Sequence, residues 1–125
     1  MLEAYSLNVE VAADTAIPFK NVTLKKGCSV ELSGDSSIQL DKCGVYKISC
    51  DASAAASTTI QLFKDGVAQP QAQSTGASLG FSTLVQVPTN NSCCPCSSPV
   101  VIQVLNTGDA AATFTNANIV VEKVA

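Results

Sequence analysis

The chain has 125 residues, of which 14% are charged and 46% apolar, and its formal net charge is −3. That is enough chain for one core and not for two, so residues 1–125 are read as a single domain. With no His, no Arg and no Trp, it lacks a side chain that titrates near neutral pH, a bidentate clamp for phosphate and a basic stripe, which argues against nucleic acid as a partner.

The apolar residues recur with a period of two almost throughout, the mark of half-buried strands. Leu7, Val9 and Val11 predict the first strand, and Ala13-Asp14-Thr15 a turn. Ile17 to Leu24 reads as a second, with Pro18 near its start, where proline is tolerated. Short strands follow at Ser29–Leu32 and Ser36–Leu40.

The run from Cys43 to Ala56 is the central strand. Tyr46, Ile48, Cys50, Ala52 and Ala54 share one face; Lys47, Ser49, Asp51 and Ser53 share the other. Tyr46 is expected to be buried, with its hydroxyl partnered.

Thr58 to Phe63 forms the next strand, and Lys64-Asp65-Gly66 turns it back into Val67–Ala72, since Asp-Gly between apolar runs is a strong hairpin signal. Gln73 to Gly76 is read as a loop. Ala77 to Val87 puts Leu79, Phe81, Thr83, Val85 and Val87 on one face. After the turn-rich Pro88–Pro99 segment come Val100–Leu105, a turn at 106–109 and a last strand from Ala111 to Val124. About ten strands with polar turns and no helical period make an all-β sandwich or barrel.

Four segments carry a resemblance: Ile17-Pro-Phe-Lys-Asn-Val, Cys43-Gly-Val-Tyr-Lys-Ile-Ser, Ile60-Gln-Leu-Phe-Lys-Asp-Gly and Phe114-Thr-Asn-Ala-Asn-Ile-Val-Val. In this order the chain resembles the C1q/tumour-necrosis-factor-like jelly roll. The likeness is to its bacterial and phage branch, which includes spore-surface glycoprotein heads. It implies a jelly-roll β-sandwich that assembles as a homotrimer. The Thr89–Pro99 segment departs from the family pattern, which has Gly-Asp before the penultimate strand.

Catalysis has little to stand on. Ser and Thr abound, but no His, Arg or Gly-x-Ser-x-Gly elbow is present to activate one, and a non-enzymatic protein is expected. The aspartates sit singly in turns, without the clustering that calcium requires.

Of the six cysteines, Cys50 is expected as a small buried hydrophobe, and Cys28 and Cys43 as a candidate pair. Cys93, Cys94 and Cys96 are candidate thiolate ligands for zinc, or cross-links between subunits at a trimer tip. Their spacing matches no zinc knuckle, and a plain loop with no cofactor is the competing reading.

Apolar residues on both faces of several strands exceed what one sandwich needs and suggest a contact between subunits. The sheet bearing Tyr46, Phe81 and Phe114 is expected to face the three-fold axis. No apolar run is long enough to span a membrane, and the N-terminus has neither a basic start nor an apolar h-region. The expectation is a leaderless protein made in the bacterial cytoplasm and carried on a virion surface as a capsid decoration or head-fibre protein. Its partners would be its own copies and a capsid or other virion protein. The alternative is a spore-surface or receptor/glycan-binding trimeric head.

Overall fold

One 21-residue strand, β6 (Gly44–Lys64), runs through both layers of the molecule. The computed structural model describes residues 1–88 and 99–125. Along the first half of β6, Tyr46, Ile48, Cys50 and Ala52 are buried while Lys47, Asp51 and Ser53 are exposed, as the alternation requires. Ala54, Ala55, Ala56 and Ser57 follow, and here the register with the next strand breaks, between Ser53 and Thr58. Small side chains at an irregularity let a strand bend sharply. Beyond the break, β6 enters the second sheet with Thr58, Ile60 and Leu62 inward.

The remaining strands are β1 (Leu2–Val11), β2 (Thr15–Ala16), β3 (Asn21–Lys25), β4 (Val30–Ser33), β5 (Ser37–Leu40), β7 (Val67–Val87), β8 (Val100–Asn106) and β9 (Ala112–Lys123). The front sheet runs β3-β1-β9, then the first half of β6, then the second half of β7. The back sheet runs from the first half of β7 through the second half of β6 to β8, β5 and β4, with β2 also on β8. All pairings are antiparallel. Two antiparallel sheets sharing long strands that cross from one to the other form a jelly roll.

Fewer and longer strands appear than the pattern predicts. The central run and Thr58–Phe63 are one strand, and so are Val67–Ala72 and Ala77–Val87. Gln73–Gly76 is therefore ladder and not loop: Thr75 lies opposite Thr59, and Gln73 opposite Gln61. Polar residues read as loop because the outer face of a sheet is itself wet.

At the hairpin, Asp65 (φ 49°) and Gly66 (φ 81°) both take the left-handed conformation that a tight two-residue turn demands, as the Asp-Gly pair implied. The expected strand at Ile17–Leu24 is instead split between β2 and β3. Ile17 and Phe19, both fully buried, occupy the extended link between them.

The first strand begins at Leu2 and not at Leu7. Leu2, Ala4 and Ser6 point inward; Asn8 then takes φ 52°, after which Val11 is buried and Leu7 is left 57% exposed. The partner strand switches with it, from Ala117 to Phe114. Two paired strands that change face together keep their register while turning the corner of the sandwich.

Between the sheets lies one core. Ile17, Phe19, Leu2, Tyr46, Ile48, Phe114 and Ile119 pack with Ile38, Leu40, Ile60, Leu62, Ile102 and Val104. Each such side chain contributes about 1.5–3 kcal/mol by leaving water. Tyr46 is fully buried; its hydroxyl donates to the Lys42 carbonyl at 2.7 Å and accepts from the Lys42 N–H at 3.2 Å.

Candidate functional site

The outer face of the front sheet is assembled by register. Side chains opposite one another across β1, β9, β6 and β7 form rows: Leu7–Asn116–Ser53–Ser78, Tyr5–Asn118–Asp51–Gly80 and Glu3–Val120–Ser49–Ser82. A further row carries Glu122–Lys47–Leu84.

On the β6 and β7 side the face is floored by serine and glycine. Ser49 and Ser82 share a hydroxyl hydrogen bond at 3.3 Å. A Cβ at Gly80 would come within 2.8 Å of the Asp51 carboxylate, so glycine keeps this floor low. Larger side chains rim it: Leu7 is 57% and Leu84 60% exposed. The Asn118 Oδ1 atom is covered by its neighbours yet has no hydrogen-bond partner.

β7 bounds this face and pairs only with β6 among the described strands. Its 21 residues include no Lys, Arg, Asp or Glu. An open edge usually carries charge, is kept short or is covered, because its free N–H and C=O groups otherwise recruit another chain. Among the described residues, Pro70, the irregularities, a Lys64 ammonium that donates to the Gln86 carbonyl at 2.9 Å and a Ser74 hydroxyl that accepts from the Gly80 N–H at 3.2 Å blunt it only in places.

Of the three expected interface residues, the structure places Tyr46 and Phe114 at 0% exposure. This corrects their assignment to a subunit contact: they stand on strands of the front sheet but on its inner face, where this chain's own core takes up their surface. Phe81 is half-buried and packs against that core. Period two sets the correction, since the outward neighbours of these residues are Lys47, Gly80, Ser82 and Thr115.

At one end of the sandwich lies a cleft of about 500 Å³, lined by residues 55–59, Thr75 and 108–113. It opens where Ala55, Ala56 and Ser57 have no register partner on either side. Its floor is anchored by Asn106, which is 0% exposed. Asn106 Oδ1 accepts from the Thr58 hydroxyl at 2.7 Å and the Gly108 N–H at 3.1 Å, while Nδ2 donates to the carbonyls of Val11 at 3.0 Å and Ala110 at 3.2 Å. One side chain thus joins β1, β6, β8 and the β8–β9 turn. Sequence reading placed Asn106 in a turn. The signal was present, since it continues the inward series Val100, Ile102, Val104.

Cys50 is buried, and desolvation followed by the nearby Asp51 charge pushes its thiol up to about 12. It is a core hydrophobe, as expected. Cys28 is exposed and free, whereas Cys43 is disulfide-bonded. The expected Cys28–Cys43 pair is therefore replaced by a different pairing of Cys43. Cys93, Cys94 and Cys96 lie outside the described residues; among the described ones, no group of three His, Cys, Asp or Glu side chains is arranged to hold a metal.

No protein-family model and no curated protein matches the chain. Among solved structures, it superposes on the PRD1 vertex protein P5 with a TM-score of 0.66 at 15% identity, over 99% of this chain and 96% of that one. The fold is the C1q/TNF-like jelly roll. Murine APRIL matches with a TM-score of 0.61 at 11% identity, covering 98% of each chain. The globular domain of zebrafish complement 1qA gives 0.59 at 9% identity, over 95% of this chain and 94% of that one.

Proposed function

We propose that the chain is a non-enzymatic structural module of a virion surface, assembling as a homotrimer that decorates a phage capsid or heads a short fibre. The observation that carries this is the outer face of the front sheet. A low Ser/Gly floor with apolar rims lies beside a long edge that itself carries no charged residue and that no other described strand pairs with. Those are complementary parts: the β7 edge of one copy fits the floor of the next, and repeating the contact closes a ring. A contact of roughly 800 Å² per partner is of ordinary size.

The likeness to a phage vertex protein supports the virion setting, and the C1q/TNF-like resemblance supports three-fold closure. Synthesis in the bacterial cytoplasm and a capsid or other virion protein as second partner belong to the same proposal. With no His in the chain to activate a serine or threonine, a structural role fits better than an enzymatic one.

Light scattering at micromolar concentration tests the assembly. A mass three times that of the chain is expected, and Leu84→Lys, placed on the exposed rim, should return monomers with an unchanged circular dichroism spectrum. A monomeric parent protein overturns the proposal. Antibody labelling of phage particles tests the setting.

The alternative, a spore-surface or receptor/glycan-binding trimeric head, is favoured by one observation: the end cleft, which the assembly contact does not use.

A further inference from the structure

We infer that the cleft between residues 55–59 and 108–113 is a binding site for a neutral saccharide, presented by a surface glycan. This gives the alternative head reading a place and a ligand class, while the cleft itself is built within one chain and does not depend on trimer formation.

Its size falls within the ~300–1,000 Å³ usual for small-molecule sites. Its chemistry narrows the ligand. No Lys lines it and one carboxylate does, so a phosphate, a sulfate or an acidic sugar would find no cationic side chain to pair with and a like charge to oppose it. No lining side chain is larger than Thr or Asp, so it offers no hydrophobic socket for an apolar anchor of a peptide. What it does offer is hydroxyls, backbone and one carboxylate.

Thr59 and Thr75 hydroxyls pair with each other at 2.9 Å and each retains capacity for a further bond. Thr113 and Ser57 add two more. Ala55, Ala56 and Ser57 have no register partner in either ladder, so their backbone borders the cleft and not a neighbouring strand. Asp109 is the single charged group in the lining. A carboxylate accepts from two adjacent hydroxyls at once, and such charge-assisted bonds are about twice as strong as neutral ones. A ligand that is itself a ring of donor–acceptor hydroxyls satisfies this set; a lone divalent cation would find only one carboxylate to offset its charge.

The site is also preorganised. Asn106 ties Thr58 and Gly108 together beneath the cleft, and a Cβ at Gly108 would collide with the Thr58 hydroxyl. The two walls are therefore fixed before a ligand arrives, which lowers the cost of ordering on binding.

The test is amide-resonance titration of the isotope-labelled full chain with glucose, galactose and N-acetylglucosamine at millimolar concentration. N-acetylneuraminic acid and methylammonium serve as charged controls. At least one neutral sugar should shift resonances of residues 55–59 and 108–113, saturably, and neither control should do so. Asp109→Ala should weaken that binding roughly tenfold, and Ala56→Leu, which fills the cleft from an exposed position, should abolish it. Unperturbed resonances elsewhere show that each variant is folded. The inference is overturned if no neutral sugar shifts those residues, if the charged controls shift them equally, or if both variants bind like the parent. The oligomer mass, measured on the same samples, reports separately on the assembly.

Discussion

Removing the Asn106 amide should cost more than any single surface change. In Asn106→Leu, four hydrogen bonds disappear. The Gly108 N–H and the Ala110 carbonyl lie near solvent and can turn to water. The Thr58 hydroxyl and the Val11 carbonyl belong to buried residues, at 8% and 2% exposure, and are left without partners. Each stranded buried group costs about 1–3 kcal/mol, so a loss of about 3–4 kcal/mol is expected, against a usual domain stability of about 5–15 kcal/mol. For a chain of this length that is a fall in Tm of roughly 10–20 °C.

Calorimetry or urea unfolding measures it, and two companions isolate the cause. Adding Thr58→Val to Asn106→Leu should recover part of the loss, because two apolar partners strand nothing between them. Asn106→Asp keeps the shape but turns two donations into contacts between a carboxylate and the Val11 and Ala110 carbonyls. Its folded pKa is then raised above the unfolded ~3.9. The variant should approach the parent below that pH and weaken as pH rises through the folded value. A fall below about 1 kcal/mol for Asn106→Leu, or an Asn106→Asp variant whose deficit is flat between acid and neutral pH, refutes the account.

Three further outcomes are expected. Tyr46→Phe removes the hydroxyl bonded to Lys42 and should cost about 1–2 kcal/mol in chemical denaturation, whereas Tyr46→Ala should cost about 3–5 kcal/mol; equal losses would show that the ring contributes nothing. Desolvation raises the Tyr46 pKa above its ordinary 10, so the folded state holds that proton longer and stability should fall as pH climbs past 10; melts across that range test the sign, and Tyr46→Phe should lessen the slope. Iodoacetamide on the native protein should alkylate Cys28 and spare Cys50, whose thiol is buried and barely ionised; peptide mass spectrometry in which Cys50 reacts as fast as Cys28 would contradict the core placement.

Much of the architecture is local and therefore readable. Strict alternation over residues 45–53 leaves one way to face a core, so Tyr46, Ile48 and Cys50 are inward whatever surrounds them. Asp65-Gly66 can adopt positive φ at both positions, so the hairpin follows from two residues. The absence of His and Arg removes whole classes of chemistry before any fold exists.

Other features depend on residues far apart in the chain. Where one long strand ends and the next begins is set by partners. Gln73–Gly76 is polar enough for a loop and is held as strand by Thr58–Gln61 across the ladder. The face switch at Asn8 is intelligible only beside its matching switch between Ala117 and Phe114 on β9.

The sites follow the same division. An aromatic residue on an alternating strand signals burial, but periodicity cannot say whether a neighbouring sheet or a neighbouring subunit does the burying. Tyr46 and Phe114 were spent on the chain's own core, and the outer face fell to Ser49, Gly80, Ser82 and Asn118. The end cleft is assembled from segments about 50 residues apart, at Thr58 and Gly108, and held by an asparagine whose bonds to Thr58 and Val11 no local pattern connects. Amino-acid type and period determined which residues are inside; only the closing of the two sheets decided which of them meet.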